Sequence, residues 1–69
     1  MDSVYKVVEI VGSSSESWEA AAAVAIKKAA SSLRDLRIAE VSALDLHLGE
    51  DGQVVAYRTK LKVSFKFDA

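Results

Sequence analysis

An α+β fold, with one helix packed on a three-stranded antiparallel sheet in the order strand, helix, strand, strand, is predicted by three features of the sequence. The stretch between residues 37 and 67 reads as two long β-strands joined by the tight turn Glu50-Asp51-Gly52. An Ala-rich segment of helical periodicity precedes that hairpin, and a β-branched run precedes the helix. With 69 residues the chain is read as a single domain, residues 1–69, near the length at which one core barely offsets the entropy of ordering the backbone.

The sequence contains no Cys, so neither disulfides nor a thiolate zinc site can supplement that core. A hydrophobic fraction of 51% and a mean hydropathy of +0.15 leave more apolar surface than one helix and one sheet can hide from each other. Association with further copies of the chain is therefore expected. Nine basic and ten acidic residues give a net charge of −1, which provides no overall field for nucleic acid or an anionic membrane. No apolar run has the length of a membrane helix, and Met1-Asp2-Ser3 lacks the basic and apolar segments of a targeting signal. A cytoplasmic location is expected.

Residues 4–11, VYKVVEIV, are rich in β-branched side chains, while Lys6 and Glu9 fall on opposite faces. This pattern suits a strand that is apolar on both sides. Gly12 is expected to end it, and Ser13 with Glu16 has the spacing of a Ser-x-x-Glu capping box at a helix start. The helix is placed over residues 17–33. Trp18, Ala22, Ala25, Ala29 and Leu33 recur at helical spacing, flanked by Ala21 and Ile26. Such a small-residue stripe allows close approach to a sheet, with Trp18 as its one large anchor. Arg34-Asp35 ends the helix, and a strand over residues 37–49 follows.

In the last strand Tyr57, Thr59, Leu61, Val63, Phe65 and Phe67 alternate with Arg58, Lys60, Lys62, Ser64 and Lys66. A three-residue hairpin loop with Gly52 in the left-handed conformation and a bulge after it fixes a register. Leu48 is then set beside Val54, Leu44 beside Arg58, Glu40 beside Lys62 and Ile38 beside Ser64. The acid-to-lysine pair favours this register over a one-residue slip. One face collects Ala39, Val41, Ala43, Leu61 and Val63 against the helix. The far face collects Ile38, Glu40, Leu44, Leu46 and Leu48 with Arg58, Lys60 and Lys62, and its leucine end is predicted to be a subunit interface.

No phosphate-binding glycine loop, zinc-protease helix motif or nucleophile elbow is present. His47 is the one histidine and lacks a paired nucleophile, so no catalytic role is assigned and the chain reads as non-enzymatic. Glu50-Asp51-Gly52 is a turn, since an EF-hand needs oxygens spaced across twelve residues. Carboxylates gathered across symmetric copies are a separate route to a divalent cation. The basic stripe Arg58, Lys60, Lys62 and Lys66 reads as a solvated or salt-bridged face.

Val4-Tyr5-Lys6-Val7 leading to Gly12-Ser13-Ser14, the Ala-rich helix, Ala39-Glu40-Val41 and the closing Lys62-Val63-Ser64-Phe65 together resemble the dodecins across nearly the whole chain. The resemblance implies β-α-β-β subunits in hollow homododecamers of cubic symmetry that bind flavins in pairs at subunit two-folds. In flavin-binding dodecins a Trp stacks on the isoalloxazine just before the Ala/Phe-Glu-Val run, and here that position holds Ile38. A Gln that hydrogen-bonds the ring follows an aromatic residue on the last strand, and here Arg58 follows Tyr57. Ile cannot stack, and Arg brings positive charge with donors only.

Ser3-Val4-Tyr5-Lys6, Ser17-Trp18-Glu19 and Tyr57-Arg58 look like the calcium dodecin subgroup, similar in lacking that Trp. The resemblance implies calcium at subunit contacts, with Asp45 and Glu16 as candidate ligands, while Ile38, Arg58 and Asp45 mark the altered ligand-binding zone. The expected function is a non-enzymatic, homododecameric small-ligand or ion binding and storage protein with weak or no flavin binding. The alternative is an FMN or riboflavin storage dodecin with an altered pocket.

Overall fold

A computed structural model describes residues 2–67; the predicted domain limits Met1 and Ala69 lie outside the described residues. Its elements are strand β1 (Tyr5–Ser14), helix α1 (Trp18–Ala30), strand β2 (Leu36–Leu48) and strand β3 (Val54–Lys66). The sheet is antiparallel in the order β1-β3-β2. The predicted β-α-β-β fold is the one observed.

The last strand takes the central place because it alternates most strictly. Thr59, Leu61 and Val63 are buried under the helix, and its alternate positions carry the cationic side chains. Ala21, Ala25 and Ala29 form the buried stripe of α1, joined by the partly buried Val8, Ile10, Ala22, Ile26 and Leu36. Among the described residues no helix is long and apolar enough to cross a membrane.

Gly12 does not stop β1, which continues through Ser14. A Cβ at Gly12 would lie 2.0 Å from the Ala21 carbonyl oxygen and 2.9 Å from Ala25 Cβ, so the glycine is where strand and helix touch. Two further residues stay in the strand, and the cap moves with them. Ser17, in extended conformation, accepts a hydrogen bond on its hydroxyl oxygen from the Ala20 N–H at 3.0 Å. Ser13 is therefore not the cap, and Glu16 precedes the helix rather than closing a capping box. Ser14 Oγ instead accepts from the Glu16 N–H at 3.0 Å. At the other end Ser31 caps the helix three residues earlier than the spacing predicts, its hydroxyl donating to the Lys28 carbonyl at 2.6 Å. The chain then reverses through Asp35, whose φ of 55° is left-handed.

The hairpin closes as its sequence predicts. The Gly49 N–H donates to the Gln53 carbonyl at 2.8 Å, Gly52 has φ +81°, and Asp51 Oδ1 accepts from the Gln53 N–H at 3.1 Å. The pairs Leu48 with Val54, Glu40 with Lys62 and Ile38 with Ser64 hold. Between them the register departs from the prediction: Leu44 faces Thr59, and Asp45 faces Arg58. Two bulges cause this. Val55 is the extra residue beside the turn, and Ser42 is extra between Val41 and Ala43. An extra residue reverses which alternate positions point inward. Leu44 and Leu46 thus move from the predicted far face to the helix side, and Ala43 moves the other way.

The helix lies over β1 and β3 and barely touches β2. The long hairpin projects beyond it, giving an elongated molecule of 53 × 19 × 15 Å. Val41, Leu44, Leu46 and Leu48 all stay exposed on β2, and Val7 and Val11 stay exposed on the outer side of β1. Apolar surface of this extent on both sides of the sheet is what the composition predicts for a subunit that is incomplete alone.

Candidate functional site

The outer face of the sheet is built from rows of directly opposed residues, which share a face across antiparallel strands. Running from one end toward the hairpin turn, these rows are Val7, Ser64 and Ile38; Glu9, Lys62 and Glu40; Val11, Lys60 and Ala43; and Ser13, Arg58 and Asp45. The first of these rows is therefore mostly apolar, the next alternates acid, base and acid, and the last row of this face to span all three strands holds a compact ionic site.

That site is Asp45 with Arg58 and Lys60. Arg58 Nε donates to Asp45 Oδ1 at 2.7 Å, and a terminal guanidinium nitrogen donates to Oδ2 at 3.2 Å. Lys60 Nζ lies 3.8 Å from Oδ2. The direct hydrogen bonds from Arg58 hold the Asp45 carboxyl below the usual carboxylate range against the opposing effect of partial burial, and attraction to Arg58 and Lys60 adds to this. The Arg58 guanidinium is raised in turn by the same bond and by the Asp45 charge.

The helix side of the same segment is equally organised. The Trp18 indole N–H donates to the Asp45 carbonyl at 3.1 Å, and the buried Thr59 hydroxyl donates to the Trp18 carbonyl at 2.8 Å. Trp18 and Tyr57 meet edge to face with ring centroids 5.2 Å apart. Trp18 thus acts as the anchor predicted for it, but it anchors the helix start to β2 as well as to the core. Asp45 is held through its backbone on one side of the sheet and through its carboxylate on the other.

The ionic site has a signed pH dependence. Because folding lowers the Asp45 pKa, its contribution to stability is complete above the unfolded value of about 4 and disappears as pH falls through the lower folded value. Melting temperatures of the wild type and Asp45→Asn should differ by a constant amount near neutrality and converge below about pH 4. A gap that stays unchanged in acid would show that the carboxylate charge contributes nothing.

The predicted site residues fall into separate places. Ile38 is 66% exposed, in the apolar row of the outer face. It shares that face with Arg58, as predicted, but its partner Ser64 is six positions along β3 from Arg58, about 20 Å at strand spacing. One subunit does not bring them into one pocket. Glu16 is exposed in the turn before α1. Asp45 has both oxygens engaged by cations, so as it stands its carboxylate does not fit a metal. Among the described residues no group of three or more His, Asp or Glu side chains could hold a metal ion within one subunit. The Asp45 to Arg58 pairing itself was not predicted, because it depends on the bulge at Ser42. The one sequence signal for it is an acid on an otherwise apolar stretch of β2 opposite a basic stripe.

Comparison with known proteins agrees with this architecture. The sequence model of the dodecin family matches residues 4–68. The calcium dodecin of Mycobacterium tuberculosis is 48% identical over 64 residues, covering 93% of this chain and 89% of that protein. Its crystal structure, described as that of a calcium-chelating antigen with a novel calcium-binding site, superposes with a TM-score of 0.84 over 96% of this chain and 93% of that one. The dodecin of Thermus thermophilus is 41% identical over 68 residues, covering 99% of this chain and 97% of that protein. The dodecin of Streptomyces davaonensis has a TM-score of 0.90 at 30% identity, with 100% of each chain covered. With its family match, its relatives and its β-α-β-β fold in agreement, this chain belongs to the dodecin family.

Proposed function

We propose that this chain is a subunit of a cytoplasmic homododecamer that binds or buffers a small ligand or ion without catalysing a reaction, with weak or no affinity for flavin. The observation that carries the flavin part is the chemistry of the two positions that the family resemblance marks. Ile38 offers an aliphatic side chain where an aromatic ring would stack, and Arg58, a cation with donors only, already directs two of its nitrogens at Asp45. Assembly is supported by the apolar surface left open on β1 and β2.

Titration of riboflavin and of FMN, followed by flavin fluorescence, tests this reading. Little quenching is expected at micromolar protein, and tight stoichiometric quenching would overturn it. In that event the chain stores flavin through an altered pocket, and Arg58→Ala should weaken FMN more than riboflavin.

Calcium is the favoured ion, since the relative of M. tuberculosis is named a calcium dodecin. Glu16, exposed and unengaged by a described cation, is the better candidate of the two carboxylates. Asp45 would first have to leave Arg58 and Lys60. Further ligands would have to come from neighbouring subunits. Calcium at a hundred times its dissociation constant should stabilise the fold by about 2.7 kcal/mol. A melting temperature that does not respond to calcium or to a chelator would remove calcium from the proposal.

A further inference from the structure

We propose that Arg58 and Lys60 form a latent binding site for the phosphate group of a small ligand, and that Asp45 is its built-in occupant, acting as a specificity residue against phosphorylated ligands. The guanidinium presents two nitrogens to two oxygens at 2.7 and 3.2 Å, the fork by which arginine holds carboxylate and phosphate alike. Lys60 converges on the same carboxylate from the next row, at 3.8 Å. Two cations facing one carboxylate leave an excess of one positive charge, which a dianionic phosphate would satisfy better than Asp45 does.

Within one subunit the site is open. The Arg58, Lys60 and Asp45 side chains are 42%, 46% and 39% exposed. On the flanking strands Ser13 stands across from Arg58, and Lys60 lies between Val11 and Ala43. Ser13 places a hydroxyl in the Arg58 row, and Ala43 is the small neighbour of Lys60 on the Asp45 strand.

What puts Asp45 there is the bulge at Ser42. It turns the even positions of β2 inward and carries Asp45 to the outer face opposite Arg58. The bulge is steadied by the Ser42 hydroxyl, which donates to the Lys60 carbonyl at 3.2 Å. The acid is also fixed from behind by the Trp18 indole on its carbonyl. Both Asp45→Asn and Asp45→Ala keep that carbonyl and leave the backbone in place; Asp45→Ala empties the site, and Asp45→Asn removes the competing negative charge. This inference goes beyond the proposed function and does not depend on the calcium reading.

The test is calorimetric titration of inorganic phosphate at low ionic strength into the intact wild-type protein, Asp45→Asn, Asp45→Ala, and Asp45→Ala combined with Arg58→Gln. The wild type is expected to show no saturable binding in the millimolar range. Both single variants should bind at least about tenfold more tightly, the scale of a charge-assisted hydrogen bond, and Arg58→Gln should abolish the gain. If neither single variant gains affinity, or if the gain survives Arg58→Gln, the proposal is wrong. The near-isosteric Asp45→Asn keeps the experiment decisive should the alanine variant fold poorly. Riboflavin carries no phosphate, so its titration reports on flavin binding separately from this site.

Discussion

Gly12→Ala is expected to leave no folded protein. The φ of Gly12 is not in the left-handed region, so nothing about its backbone conformation requires glycine. The requirement is room. The added methyl would sit 2.0 Å from the Ala21 carbonyl oxygen and 2.8 Å from its carbon, both backbone atoms of a helix that cannot turn aside as a side chain can. The helix would have to move off β1, and the buried contacts of Ala21 and Ala25 would loosen with it. Overpacking of this kind costs about 1–3 kcal/mol when the surroundings can adjust and more when they cannot. A core of this size supplies only about 3–5 kcal/mol in all. Gly52→Ala is the informative comparison: it meets no atom within 4 Å and strains only the φ of +81°, a cost of about 1–2 kcal/mol. Circular dichroism and thermal melts of the two variants should therefore separate sharply. A Gly12→Ala protein that melts like Gly52→Ala would show that helix and strand are not packed as described.

Leu44→Glu is expected to break the assembly while sparing the subunit's own core. In the isolated subunit Leu44 is 51% exposed on the helix side of β2, in a hollow lined also by Trp18, Ala22 and Val41. A charge there would cost a free-standing subunit little. If neighbouring copies cover β2, each leucine contributes about 1.5–3 kcal/mol by burial, and a buried, unpaired glutamate costs several kcal/mol more. Symmetry repeats that loss in every subunit. Light scattering should report a large particle for the wild type and a much smaller species for Leu44→Glu, with a lower melting temperature because the subunit depends on its neighbours. An unchanged particle mass would mean that this face is not a subunit contact. A wild type that scatters as a monomer would overturn assembly altogether.

Much of the fold was legible in the sequence because it rests on periodicity. The alternation of Tyr57 to Phe67 identified the strand that became central, and the alanine stripe identified the helix face that became buried. The turn was legible because Gly52 is the one residue type that takes its φ without strain. What could not be read locally was the role of Gly12. A glycine after a strand resembles a stop, and only the helix laid against it makes it a contact.

The candidate site divides the same way. Residue types alone showed that Ile38 cannot stack and that Arg58 is a cation, because those properties belong to the side chains wherever they lie. Tertiary structure alone decided what Arg58 faces. The bulge at Ser42 adds one residue to one strand, and a side-chain period of two turns that single residue into a complete exchange of faces. Leu44 went to the helix side and Asp45 to the guanidinium, an outcome set by pairing between strands that no local pattern encodes.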